Sequence, residues 1–415
     1  MIEVNRFTLP NGLRVVHNYD SATAMVALNV LYDVGGRDED PKLTGMAHLF
    51  EHLMFGGSAN IPDFDAAIEA AGGYDNAYTS NDYTDFYDVV PAQNAETAFW
   101  LEGDRMLALA FSDKAFEVQR SVVIEEFKQV CLNKPYGNAM HFLRAMLYRK
   151  HPYRNPVIGR SIEHIERVTM DDVRDFFYSH YAPNNAVLSV SGRITLDETY
   201  RLAMKWMGGI PSREVAQREY APEPMPESPC RQVVTGDVPQ TMIIKAFPMP
   251  GYFSDDYVTC DIITDLLASG RSSRFYRNLL MNTGLFTEVD ASISGSDEPG
   301  FLMLTAKLRK EDGDSGIARA EDAMLREALA LADGSLTGYE LTRALNRYES
   351  NFTFSTMDFL SKAQSLAMSE MHGEDINDTV SRYRQTTVDD VRRVVSSVID
   401  PQKCSTLVYS PLFYK

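Results

Sequence analysis

Apolar and polar positions along the chain alternate in some stretches and recur every three to four residues in others, so both strands and helices are predicted. Phe7–Leu9 and Leu13–Val16 flank Pro10-Asn11-Gly12 and read as a hairpin. Met25–Val34 reads as a strand ending at Gly35-Gly36, Leu43–Phe55 as a helix, and Tyr74–Thr79 and Phe86–Val90 as further strands. Thr97–Ala110 and Ala115–Val130 carry helical spacing. The two kinds of element do not alternate strictly, which predicts an α+β fold: an antiparallel sheet with helices packed on it.

The pattern is then written a second time. Thr169-Met170-Asp171-Asp172-Val173-Arg174 recurs 218 residues later as Thr387-Val388-Asp389-Asp390-Val391-Arg392. At the same offset Pro183 falls on Pro401, Val190 on Val408, and the apolar run Ala24–Val30 near Met242–Phe247. Each copy predicts a helix capped by Thr, with acidic residues in its first turn, running past a proline into a strand at Ala186–Val190 or Ser405–Tyr409. Pro211 to Cys230, rich in proline and charge, suits an exposed linker with polyproline character. Two homologous domains are therefore expected, 1–215 and 230–415, joined by a linker at 216–229.

Length and composition agree: 415 residues exceed one ordinary core, and 44% hydrophobic with 24% charged residues is the balance of a globular protein. No apolar run approaches the roughly 20 residues that span a bilayer, and the chain opens with no basic-then-apolar leader. No membrane association is expected. The four cysteines are far apart and match no metal or redox spacing, so reduced thiols and a cytoplasmic location are expected, unless a leader has been trimmed away. A net charge of −18 argues against nucleic acid as a partner; it suits cationic peptides weakly and solubility equally well.

Chemistry enters at His48-Leu49-Phe50-Glu51-His52. On a helix, His48 and His52 project from one face a turn apart, a spacing at which two imidazoles grip one Zn²⁺. Glu51 sits on the same side, placed to take a proton from a water activated there. The order His-x-x-Glu-His is the inverzincin arrangement. A catalytic zinc takes a third protein ligand. Glu117, Glu125 and Glu126 share one predicted helix, and Glu126 is the candidate. Its neighbours Val122, Val123 and Val130 predict an apolar face, where a carboxylate is costly unless paired or metal-bound. Glu125 neighbours Ser121, Lys128 and Gln129, a solvated face.

His48–His52 with Glu126 74 residues on resembles the pitrilysin/insulinase family of zinc metallopeptidases, which includes the mitochondrial processing peptidase and shorter bacterial members. Phe7-Thr8-Leu9-Pro10-Asn11-Gly12-Leu13, Gly35-Gly36-Arg37-Asp38-Glu39 and the duplicated architecture carry the resemblance across essentially the whole chain. It implies His48, His52 and Glu126 as zinc ligands and Glu51 as general base. It also implies a zinc metalloendopeptidase acting on peptides or unfolded polypeptide segments in a closed chamber. Gly72–Ser80 is similar to the family's substrate-binding edge strand, with Asn76, Ala77 and Tyr78 as substrate-binding residues; backbone pairing would read extended shape rather than side chains.

Two departures matter. The family's second glutamate, seven residues before the ligand, is here Gln119, which keeps hydrogen bonding without charge and implies a supporting role at the metal centre. The family's Arg and Tyr, seven residues apart in the later domain, fall on Leu280 and Thr287, which cannot replace them. The second copy also lacks His-x-x-Glu-His. This combination resembles the catalytic subunit of two-subunit members. It implies a heterodimer with a zinc-less paralogous chain supplying the Arg/Tyr pair, with a homodimer as the alternative. From other classes, a non-catalytic assembly subunit is the competing reading, and a hydrolase of non-peptide substrates has no support beyond the metal.

Overall fold

The computed structural model describes residues 1–219, 221–309 and 313–412, and its architecture is α+β with two sheets. In the first, β1 (Asn5–Thr8), β2 (Arg14–Tyr19), β3 (Met25–Tyr32), β4 (Tyr74–Thr79), β5 (Thr84–Pro91) and β6 (Ala186–Gly192) lie in the order β1-β2-β6-β3-β5-β4. In the second, β7 (Cys230–Gly236), β8 (Met242–Pro248), β9 (Phe286–Ser294), β10 (Phe301–Leu308) and β11 (Ser405–Pro411) lie in the order β7-β11-β8-β10-β9. Leaving β1 aside, the two orders correspond strand for strand. β6 and β11, the strands the repeat identified, occupy the same place in each. Both sheets are antiparallel except at one pair, β2/β6 and β7/β11, which run parallel.

The repeated hexapeptide starts a helix in both copies, Met170–His180 and Val388–Val398. Thr169 Oγ1 accepts from Asp172 N at 3.2 Å and Thr387 Oγ1 from Asp390 N at 3.1 Å, and each Asp returns a bond to the Thr backbone N–H. Two of the four orphan donors at each helix start are thereby satisfied, the reciprocal capping that Thr-x-x-Asp allows.

Compactness does not follow chain order. One compact unit comprises Met1–Phe127, Asn155–Tyr220 and Asn351–Thr379; the other comprises Lys128–Arg154, Ala221–Ser350 and Val380–Lys415. The expected domains 1–215 and 230–415 follow sequence and so do not anticipate that each half lends a helix to the other's sheet. Helix Phe359–His372 covers β3 and β6, with Leu366 and Ala367 packed among Val16, Leu31 and Val187. Helix Ala139–Leu147 covers β11 and β8, with Leu143 and Leu147 packed among Ile244, Leu407 and Tyr409. A strand buried on both faces needs an apolar cover on each, and the lent helices supply the second.

Nor is the expected linker free. In the first unit, Arg213 donates to the carbonyl of Tyr181 at 2.8 Å, and Arg218 pairs with Asp33 and Asp38 at 2.8 and 2.6 Å. In the second, Glu223 accepts from the backbone N–H groups of Arg149, Lys150 and His151 at 2.8 to 2.9 Å. Of that segment, residue 220 lies outside the described residues, as do 310–312 and 413–415 of the expected second domain.

Asp85 on β5 shows how the lent helix is locked in place. It is buried, and accepts from Asn29 at 2.6 Å and from Gln364 of helix Phe359–His372 at 3.0 Å. Burial pushes its carboxyl up to about 7, against the pull of these donors and of Tyr78. Folded Asp85 thus holds its proton more tightly than the unfolded chain, where it titrates near 3.8. Its contribution to stability is full below that pH and is lost as the pH rises through about 7. Asp85→Asn should remove this part of the pH dependence, so that Tm falls less in the variant than in the parent between about pH 5 and pH 8. Scanning calorimetry giving equal pH slopes for the two proteins would refute the assignment.

Candidate active site

The motif helix runs Met46–Phe55, three residues shorter at its start than the expected Leu43–Phe55. Gly45, its N-cap, has φ +92°, a left-handed conformation that an L side chain adopts only with strain, so the helix cannot extend backwards through it. A Cβ there would also sit 3.1 Å from Gly159 Cα and Ile158 O. Glu39, buried, accepts from the first helical N–H groups, Gly45 N at 2.9 Å and Ala47 N at 2.8 Å. Burial pushes this carboxyl up to about 8, so it is by hydrogen bonding rather than by charge that it satisfies N–H groups left open at the helix start and fixes where the helix begins.

One side of the helix is core. Ala47, Leu49, Phe50, Leu53 and Met54 are buried, and Phe50 stacks on Tyr181 with ring centroids 4.3 Å apart. The opposite side carries His48, Glu51 and His52, all partly exposed. Glu126, near the end of helix Asp113–Phe127, meets them: its Oε2 lies 3.7 Å from His48 Nε2 and 3.4 Å from His52 Nε2. Among the described residues, His48, His52 and Glu126 are the only group of three or more metal-ligating side chains, with ligand atoms all within 4.8 Å of one another. Zinc bonded to two nitrogens and an oxygen at roughly 2.0–2.2 Å in tetrahedral geometry sets its ligands about 3.3–3.5 Å apart, so the three residues fit the ion. Burial pushes the His48 imidazole down to about 4, which keeps it in the neutral form a metal needs.

Glu126 arrives there by a different route from the one its neighbours suggested. Val123 is fully buried, but Val122 and Val130 are 45% and 42% exposed, and the Glu126 side chain is itself 37% exposed. The helix buries Phe116, Val123 and Phe127, then gives way to a wider turn at Lys128–Leu132 that carries Val130 off its line. The carboxylate is held by facing the histidines rather than by being buried.

Glu51 lies beside this group, and its partner Thr79 is a residue that the sequence did not point to. Thr79, the last residue of β4, donates its hydroxyl to Glu51 Oε2 at 2.5 Å. Burial raises the Glu51 carboxyl above the usual range, the Thr79 hydroxyl draws it back, and the Glu126 charge raises it again. Only the alternation of β4, which turns Asp75, Ala77 and Thr79 to one face, could have singled Thr79 out. Thr79→Ala should lower turnover about ten-fold, the value of one hydrogen bond to a charged group, with zinc content unchanged. A variant as active as the parent would remove Thr79 from the site.

β4 is an edge of its sheet. Along it Asn76 is exposed and turns its side-chain oxygen onto Ala77 N–H at 2.8 Å, while Tyr78 is 39% exposed and packs edge-on to Tyr83. Gln119 lies beside Gly56 at the far end of the motif helix and bonds to neither histidine. Among the described residues none hydrogen-bonds the buried His48 Nδ1, so within them the ring is oriented by packing and by Glu126. Leu280 packs against the second unit's core, and Thr287 on β9 donates to Gln240 Oε1 at 3.0 Å.

Fold and site together are those of a metallopeptidase family, and comparison with known proteins says which. Residues 14–161 match the family model described as insulinase (peptidase family M16), and residues 167–348 match the peptidase M16 inactive domain. The chain belongs to peptidase family M16. It is 27% identical over 418 residues to the zinc protease PqqE of Helicobacter pylori, covering 97% of this chain and 92% of that one. It is 29% identical over 209 residues to the mitochondrial-processing peptidase subunit beta of Saccharomyces cerevisiae, covering 50% of this chain and 45% of that one. The crystal structure of a protease from Helicobacter pylori superposes with a TM-score of 0.92 at 24% identity, covering 99% of this chain and all of the other. Among the described residues no helix is long and apolar enough to cross a membrane.

Proposed function

We propose that this chain is a zinc-dependent endopeptidase that cleaves peptides or unfolded polypeptide segments held as an added strand on β4. The observation that carries the reading is the convergence of His48, His52 and Glu126 with Glu51 hydrogen-bonded to the end of an exposed sheet edge. When bound, zinc supplies Lewis-acid activation of water and of a carbonyl oxygen. The rest falls to the chain's own residues. The backbone edge of β4 aligns an extended peptide by main-chain hydrogen bonds, displacing the Asn76 side chain from Ala77 N–H, and this mode tolerates varied side chains. Asn76, Ala77 and Tyr78 line that edge. Thr79 holds Glu51 Oε2, so that Glu51 takes a proton from water and returns it to the departing amine.

The reading extends to a partner. Leu280 donates nothing, and the Thr287 hydroxyl is committed to Gln240, so neither can bind a substrate oxyanion. A zinc-less paralogous chain carrying the missing Arg and Tyr would complete the site, which makes this chain the active subunit of a heterodimer; a homodimer working without the pair is the second reading. Cleavage of a quenched fluorescent peptide library by the purified chain, with zinc measured on the same sample, tests both levels. Zinc with little activity is the expected result. Vigorous, chelator-sensitive cleavage by the chain alone would keep the peptidase and overturn the obligate partner, and a chain that binds no zinc would overturn the peptidase.

A further inference from the structure

Arg218 belongs to the proline-rich segment that joins the two halves of the sequence, yet its side chain is 28% exposed and its guanidinium is spent on one short stretch of the first unit. Nε donates to Asp38 Oδ1 at 2.6 Å and Nη2 to Asp38 Oδ2 at 3.1 Å, so both oxygens of one carboxylate are covered. Nη2 also donates to the Asp33 carbonyl and to Asp33 Oδ1, each at 2.8 Å. The Asp38 side chain is almost fully buried, and its Oδ2 accepts from Gly35 N at 2.9 Å as well. A planar fork on a buried carboxylate fixes the two groups in orientation as well as in distance.

The stretch from Asp33 to Glu39 in turn touches both parts of the candidate active site. At its end, Glu39 accepts from Gly45 N and Ala47 N at the start of the motif helix. In its middle, Gly36 N donates to Ser80 O at 3.0 Å and Arg37 N to Asn81 O at 2.8 Å, which ties it to the turn directly after β4. A Cβ on Gly35 would lie 2.6 Å from Ser80 O and Asn81 O, so the two backbones meet with no room for a side chain. Buried Arg37 adds ion pairs to Asp82 at 2.9 Å and to Asp33 at 3.2 Å. Ser80 follows Thr79, whose hydroxyl holds Glu51. A continuous run of bonds thus leads from Arg218 to the helix that carries His48, Glu51 and His52, and to the strand end that holds Glu51.

We propose that Arg218 is a positioning residue of the peptidase site: by clamping Asp33 and Asp38 it fixes where the motif helix begins and where Thr79 stands against Glu51. This role rests on the peptidase reading of the site, and it makes the linker part of the site's scaffold rather than a tether. Removing the guanidinium would strip Asp38 of two donors while leaving its carboxylate nearly buried, which costs the desolvation of that group. The carboxylate is relieved by moving toward water, and the stretch that moves with it is the one bonded to Gly45, Ala47 and Ser80.

Amide hydrogen exchange read by mass spectrometry on the full chain, with peptide cleavage and zinc content measured on the same samples, tests this in Arg218→Met and Arg218→Lys. In Arg218→Met, peptides covering residues 34–47 and 79–82 are expected to exchange about ten-fold faster than in the parent, while helix Leu196–Trp206 keeps its rate. Where the parent cleaves peptide, kcat of Arg218→Met is expected to fall about ten-fold with zinc content unchanged. Arg218→Lys, which keeps the charge but not the fork, should recover part of both. Unchanged exchange at 34–47 and 79–82 overturns the role, as does local loosening with kcat unaltered. Faster exchange spread evenly over the unit also overturns it, since Arg218 would then be an ordinary stabilising residue. A parent that cleaves no peptide would count against the peptidase reading alone, because the exchange pattern is read without turnover and still decides whether Arg218 holds these segments.

Discussion

Replacing Glu51 by Gln is expected to cut peptide cleavage by roughly three orders of magnitude while leaving bound zinc in place, the loss typical of a removed general base. The two side chains have the same shape, and the glutamine carbonyl can still accept from Thr79, so the end of β4 and the motif helix should stay where they are. What disappears is a carboxylate that is not among the grouped ligands His48, His52 and Glu126. Glu51→Gln therefore separates proton transfer from metal binding. The comparison needs activity on a fluorescent peptide and zinc by atomic absorption, both on the reconstituted enzyme. Activity within about ten-fold of the parent would show that Glu51 is not the base. Loss of zinc would show instead that Glu51 supports the metal.

How far the chain could be read from its residues depends on how local each feature is. The motif face was legible because helical spacing alone puts His48, Glu51 and His52 on one side. The repeat was legible because Thr-x-x-Asp is a self-contained cap, and both copies form it. The start of the motif helix was not, because Leu43 and Thr44 continue the helical pattern while Gly45 is held at φ +92° against Gly159, a residue more than a hundred positions away. The face of Glu126 was misjudged for a similar reason. Valine spacing implied an apolar stripe, but Val122 is exposed within the helix itself, and Val130 is exposed in the wider turn that follows Phe127.

The lent helices are the largest feature that periodicity could not deliver. Helix Phe359–His372 has an ordinary apolar face, and nothing in that face says which sheet it covers. Gln364 bonding to Asp85, and Lys362 to Asp20 at 2.8 Å, are pairings across some 280 and 340 residues. Thr79 was hidden in the same way. Its place at the end of β4 was predicted, but its bond to Glu51 depends on the motif helix and the edge strand meeting in space.

The second large effect is expected at the metal. His52→Ala should lower zinc affinity by at least about a hundred-fold, since a site of three protein ligands would be left with two. Peptide cleavage should be lost with the ion. The apo fold should not suffer, because His52 is on the partly exposed side of its helix while Phe50, stacked on Tyr181, and the capping contacts from Glu39 hold the helix from the other. Zinc bound only by the folded chain raises its stability by mass action, so a large loss of affinity removes that increment. The parent should therefore gain in Tm on addition of zinc, and His52→Ala should melt at the same temperature with and without it. His48→Ala should behave alike, since its Nε2 stands in the same relation to Glu126 Oε2. If either variant kept stoichiometric zinc through dialysis against a weak chelator, the ligand set of His48, His52 and Glu126 would be wrong, and the Glu51→Gln result would have to be read without it.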